Sequence, residues 1–101
     1  LYKGGSGYEG LKLLGPHSVG IFHTNDVPAN FTRERITDAD RVWPGAGSAP
    51  LKQVFRDLKA VGFRGHLSLE LFNATYWKMD ALACARTGLE KTRKVVREAL
   101  A

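Results

Sequence analysis

Cysteine is nearly absent from this chain: Cys84 is the only one among 101 residues. A single thiol cannot close an internal disulfide, and it fits the reducing cytoplasm, where we expect the protein to reside. It lies in a helical pattern with no histidine beside it, which reads as a small packed residue. Long hydrophobic runs are also missing. None approaches the ~20 residues that cross a bilayer, so no membrane partner is expected. The opening Leu1-Tyr2-Lys3-Gly4-Gly5 has none of the layout of a secretory signal. There is no initiator methionine, which points to the trimmed end of something longer. Acidic residues are the scarcer charge, 10 against 15 basic, for a net charge of +5. Such an excess can mark a nucleic-acid partner. Here, however, Lys52, Arg56 and Lys59, then Lys91, Arg93, Lys94 and Arg97, alternate with apolar positions, as on solvated helix faces.

What is present is ordinary in amount, 44% hydrophobic and 25% charged, enough for one domain with a modest core. Residues 1–7 are rich in Gly and Ser and read as irregular. Tyr8 to Leu14 reads as the last turns of a helix, stopped by Gly15-Pro16. Residues 18–23 form an apolar run suited to a buried strand. Residues 24–49 are polar and turn-rich, with a short helical turn expected over Thr32–Ile36; a loop of that length is usually functional or disordered. Pro50 fits a first helical turn, with Ser48 as its cap. Leu51, Val54, Phe55, Leu58 and Val61 share one helical face, and Gly62 ends it. His66 to Leu71 reads as a second strand and Asn73 to Trp77 as a loop. A last helix runs from about Asp80 to Ala99, with Leu82, Ala85, Leu89, Thr92, Val96 and Ala99 as its core-facing stripe.

Strand, helix, strand, helix is the form of an α/β fold with parallel strands. Two strands alone leave unpaired edges. Further strands must come from missing sequence or from other copies, so a homo-oligomer joined through strand edges is expected.

Both strands end in residues that bind metals. Val19-Gly20-Ile21-Phe22 leads into His23, and Leu67-Ser68-Leu69 leads into Glu70. An imidazole at His23 can hold a divalent ion, move a proton, or simply hydrogen-bond at a strand end. A carboxylate between Leu69 and Leu71 is costly to bury unless paired, protonated or bound to a cation. Its structural alternative is an ion pair with an arginine such as Arg41. Asp38, Asp40 and Arg41 in the long loop can flank a metal or a sugar hydroxyl, or cap local turns. Trp43, Tyr76 and Trp77 can stack on a sugar or lid the core. His17 and His66 sit beside turns and read as exposed.

These residues resemble a known family. His23-Thr24-Asn25-Asp26, Asp38-Ala39-Asp40-Arg41-Val42-Trp43-Pro44-Gly45-Ala46-Gly47 and Gly62-Phe63-Arg64-Gly65-His66-Leu67-Ser68-Leu69-Glu70-Leu71-Phe72-Asn73 look like the C-terminal end of the xylose isomerase-like TIM barrels. The resemblance covers nearly the whole chain and is nearest to the sugar isomerase and epimerase branch. It implies that residues 1–101 are the last two strand–helix units of a (β/α)8 TIM barrel, incomplete as a single chain, since a whole barrel needs roughly 250 residues. By resemblance, His23 is the metal-binding histidine of the seventh strand and Glu70 the metal-binding, catalytic glutamate of the eighth. Asp40 and Arg41 match a loop motif near the substrate, with Trp43 beside them.

The implied activity is that of a sugar or sugar-phosphate isomerase or epimerase of carbohydrate metabolism. A divalent ion (manganese, magnesium, cobalt or zinc) in the complete protein stabilises an enediolate while a glutamate base moves the adjacent proton. The family takes two more ligands from earlier strands, so the chain alone is expected to be inactive. One alternative is a non-catalytic self-assembling module. Another is an endonuclease IV-like DNA-repair remnant. In that enzyme the aspartate matching Asp40 binds an additional zinc with a histidine two residues on, where this chain has Val42. That departure disfavours a nucleic-acid partner.

Overall fold

The computed structural model describes residues 1–101. A 3-10 turn, Glu9–Leu13, leads into strand β1, Ile21–Thr24. A long connection containing a second 3-10 turn, Asp38–Asp40, precedes helix α1, Leu51–Ala60. Strand β2, His66–Leu69, a single helical turn α2, Ala74–Trp77, and the long helix α3, Ala81–Leu100, complete the chain. The strands are parallel, with Ile21 opposite His66 and Thr24 opposite Leu69. They are the whole sheet, so each keeps one edge without a strand.

Period-two alternation gives the sheet two unlike faces. Phe22 and Leu67 pack against a core of Leu11, Leu51, Val54, Phe55, Leu58, Val95 and Ala99. Thr24 is buried on that side, and Leu69 points at α3. The opposite face carries Ile21, His23, His66, Ser68 and, one step past the strand, Glu70. Nothing in the chain covers it: Ile21 is 58% exposed.

Helix α1 forms where the apolar spacing places it. Leu51, Val54, Phe55 and Leu58 are buried, while Lys52, Arg56 and Lys59 are exposed. It stops at Gly62, whose φ of 81° few other residues adopt. Ser48 is not its cap. Pro50 holds that position, and the Ser48 hydroxyl reaches back to the Val27 carbonyl at 3.4 Å.

Helix α3 is capped by Asp80, whose carboxylate accepts the Ala83 amide. Its buried face matches the expected stripe at Val96 and Ala99 but departs from it toward the N-terminus. Gly88, Val95 and Ala99 are buried, whereas Leu82 and Leu89 are 59% and 50% exposed. Gly88 is the reason. A Cβ there would lie 2.4 Å from Leu69 Cδ2 and 2.9 Å from Trp43 Cζ3. A mid-helix glycine costs ~1 kcal/mol against alanine, and here it lets the strand end and the Trp43 ring approach the helix axis.

Two other expectations shift, while the turn expected over Thr32–Ile36 is present. The strands are shorter than the apolar runs, β1 starting at Ile21 and β2 ending at Leu69. Thr32–Ile36 is a hydrogen-bonded turn, with the Arg35 and Ile36 amides on the Thr32 carbonyl. Ala74–Trp77 is a helical turn and not loop, with the Asn73 side chain accepting the Thr75 amide as its N-cap. No helix is long and apolar enough to cross a membrane.

Candidate metal and substrate site

His23 is the third residue of β1, and Glu70 follows the last residue of β2. The parallel register and the shared open face bring them together. His23 Nδ1–H donates to Glu70 Oε2 at 2.9 Å. Both side chains stay accessible, at 57% and 41%. Glu70 thus pairs with His23 and not with Arg41. The Asn25 amide reaches the Glu70 carbonyl at 3.5 Å, a long contact between the same strand ends.

The donor set suits a divalent ion. An imidazole nitrogen and a carboxylate oxygen each bind zinc at about 2.0–2.2 Å. The chain brings together no group of three or more His, Cys, Asp or Glu side chains able to hold an ion. His23 and Glu70 would supply two of the four donors that a tetrahedral site takes.

The pair opens into a cleft of about 610 Å³ that Tyr8, Asn25, Asp38 and Arg41 also line. Burial, and then the charges of Asp26 and Tyr2, hold the Tyr8 phenol above its ordinary pKa. At neutral pH it is a proton-bearing donor. Arg41 Nη2 donates to Asp38 Oδ1, and its guanidinium carbon lies 5.9 Å from the Phe72 ring centre. The Asn73 side chain fixes the Arg41 carbonyl at 3.1 Å.

The other two substrate candidates fall outside the cleft lining. Asp40 Oδ2 accepts the Thr37 hydroxyl at 2.7 Å and the Thr37 amide at 2.8 Å, closing a capping box. Those two bonds hold its carboxyl below the usual aspartate range. Trp43 is buried; its ring stacks on Tyr76, with centroids 4.2 Å apart and planes at 26°. These two rings lid the core, while Trp77 is exposed.

Asp26 had no assigned role in the sequence, yet it organises the loop. It is 1% exposed. Oδ1 accepts the amides of Val27 and Ala49 at 2.8 and 2.9 Å. Oδ2 accepts those of Gly45 and Gly47 at 2.9 and 3.1 Å. Its main chain exchanges two further bonds with Val42, at 2.9 and 3.0 Å. A Cβ at Gly47 would meet the Val27 carbonyl oxygen at 2.1 Å and Asp26 Oδ1 at 2.6 Å. The available signal was an acid just past a strand, answered by the glycine-rich Gly45-Ala46-Gly47 before the next helix.

Known proteins are similar to this chain in sequence and fold. The family model described as xylose isomerase-like TIM barrel matches residues 1–98. Inosose isomerase of Bacillus velezensis is 39% identical over 95 residues, which are 91% of this chain and 32% of that protein. Inosose isomerase of Bacillus subtilis is 38% identical over 95 residues, 33% of its length. The chain thus spans about a third of the curated relatives it matches. Among solved structures, the IolI protein with a bound zinc atom superposes with a TM-score of 0.87 at 35% identity, over 96% of this chain and 34% of that one. A xylose isomerase domain protein from Alicyclobacillus acidocaldarius gives 0.82 at 29% identity, over 99% and 35%.

Proposed function

The chain belongs to the xylose isomerase-like TIM barrel family, and on that premise we propose that it supplies the last two strand–helix units of a divalent-metal-dependent isomerase or epimerase. Its substrate class is the polyhydroxy ketones, inososes and related sugars or sugar phosphates. His23 and Glu70 are two ligands of the ion. The observation that carries this reading is their 2.9 Å approach at the ends of adjacent parallel strands, in one cleft with Arg41. The relatives that act on inosose and the neighbour with bound zinc support it.

A bound divalent ion would polarise the substrate carbonyl and make the adjacent C–H more acidic. The chain's own residues do the rest. Glu70 turns Oε2 toward His23, which leaves Oε1 to take a proton from one substrate carbon or return it to the next. Arg41 and the Tyr8 phenol offer donors to substrate hydroxyls. Asn25 steadies the strand end that carries Glu70. With half of the ligand shell, residues 1–101 by themselves are expected to be inactive.

The test is calorimetric titration of zinc and manganese into the natural polypeptide that carries this chain, beside its His23→Ala and Glu70→Gln variants. Tight binding by the parent, weakened at least ~10-fold in each variant, is the expected result. A parent that binds no divalent ion would sink the proposal.

A second reading is self-assembly, favoured by the free edge on each strand and the bare Ile21. Small-angle scattering of residues 1–101 should then give the mass of more than one copy. The mass of a compact monomer would exclude it.

A further inference from the structure

We propose that Asp26 is the positioning residue of this site: its carboxylate is an internal anion on which segment 42–49 is folded, and it sets Arg41 beside the His23–Glu70 pair. The inference rests on the functional reading above for the ligand it positions toward, but not for the device itself.

The geometry is specific to an anion. Each carboxylate oxygen accepts two backbone N–H groups, and the residue is 1% exposed. No cationic side chain bonds to it; its charge is met by amide dipoles, just before the N-terminus of α1. In an asparagine the amide NH2 would face two of those donors, leaving buried N–H groups opposed. The Gly45, Gly47 and Ala49 amides converge on the Asp26 carboxylate as backbone amides elsewhere converge on free anions. Here the chain supplies the anion itself.

The connection to the site is short. Asp26 stands three residues past His23, and its bridge partner Val42 adjoins Arg41. The two main-chain bonds of Asp26 with Val42, and the three that its carboxylate accepts from Gly45, Gly47 and Ala49, close the intervening segment, Val27 to Arg41, at its root. The Arg41 guanidinium, with Asp38 as its partner, is thereby returned to the cleft that His23 and Glu70 line. Stability alone does not require the bridge to fall next to a cleft arginine.

The experiment uses the natural polypeptide and the variants Asp26→Asn, Asp26→Gly and Arg41→Ala. Zinc affinity should stay within about threefold of wild type in both Asp26 variants. KM for a polyhydroxy ketone should rise about tenfold in Asp26→Asn with kcat little changed, as in Arg41→Ala, and the double variant should be no worse than Arg41→Ala alone. Independently of activity, 15N relaxation should show residues 28–41 more mobile in Asp26→Gly, and added formate should restore their order saturably. In the wild type, the Val27, Gly45, Gly47 and Ala49 amides should be protected from hydrogen exchange. That last measurement keeps the proposal testable if the variants do not fold. The proposal is overturned if those amides exchange freely, if the 28–41 segment is equally ordered without the carboxylate, or if KM changes add in the double variant. A wild type that binds no zinc and turns over no ketone overturns the functional reading instead, and leaves the relaxation and exchange results to decide on Asp26.

Discussion

The two faces of the sheet are made by alternate residues of the same eight-residue set, four from each strand, and they differ in nearly every respect. Phe22 and Leu67 pack against the core, Thr24 is buried, and Leu69 points at α3. His23, Ser68 and the following Glu70 face outward with Ile21 and His66, and keep much of their surface. One face holds the fold together; the other presents titratable groups at close range. The lesson is that the costs of the two sets are separable. Removing a group from the covered face should unfold the chain, and removing one from the bare face should leave it folded and change what it binds.

The largest effect is expected on the covered side. Phe55 is 3% exposed in the core that backs Phe22 and Leu67. Phe55→Ala should cost ~3–5 kcal/mol, from lost burial plus the cavity left behind, read as a fall in the urea midpoint. Gly88→Ala comes next, at ~1–3 kcal/mol, because the new methyl meets Leu69 and Trp43. That sign runs against helix propensity, which favours alanine. A Gly88→Ala protein as stable as the parent would mean that α3 does not press on the strand end as described.

On the bare side the order reverses. The His23–Glu70 pair is about half exposed, so breaking it should change stability by no more than ~1 kcal/mol. The same His23→Ala or Glu70→Gln substitution should weaken zinc binding by the natural polypeptide at least ~10-fold. Thermal melting and calorimetry on one sample check both halves. A melting loss as large as that of Phe55→Ala would erase the distinction between the faces.

Much of this division was legible in the sequence, for a physical reason. Burial in α1 follows a 3.6-residue period that any apolar count detects, and the two apolar runs locate the strands, though not their ends. His23 and Glu70 stood out because polar groups closing apolar runs are uncommon. The register of α3 was legible at Val96 and Ala99 but not in its first turns. Its outer Leu82 and Leu89 are as apolar as its inner residues, and only Gly88, where Trp43 and Leu69 press in, selects the face. Whether Trp43 stacks on a sugar or packs inside stayed open in the sequence, because nothing local showed that Tyr76, 33 residues away, stacks on it. Asp26 went unassigned because its partners are backbone amides about twenty residues on, which have no side-chain signature.

The loop acids sharpen the comparison, since Asp38 and Asp40 lie two residues apart yet take opposite sides of it. Asp38 holds Arg41 at the cleft, whereas Asp40 holds Thr37. The Thr37 hydroxyl, and then its amide, keep the Asp40 carboxyl below its ordinary value. A carboxyl lowered on folding contributes stability that is fully present above its unfolded pKa, ~3.9. The contribution is lost as pH falls through the lower, folded value. Because Asp40 is accessible to solvent, the effect is the smallest of the set. Thr37→Ala removes the hydroxyl donor and keeps the amide, so the Asp40 carboxyl should titrate at higher pH in the variant, part of the way back to the ordinary aspartate value. A 13C titration of the Asp40 carboxyl carbon reads this directly, and zinc affinity should not change with it. If Thr37→Ala left the Asp40 titration where it was, the capping box would not be the cause of the shift. If it weakened zinc binding instead, Asp40 would belong with the bare face after all.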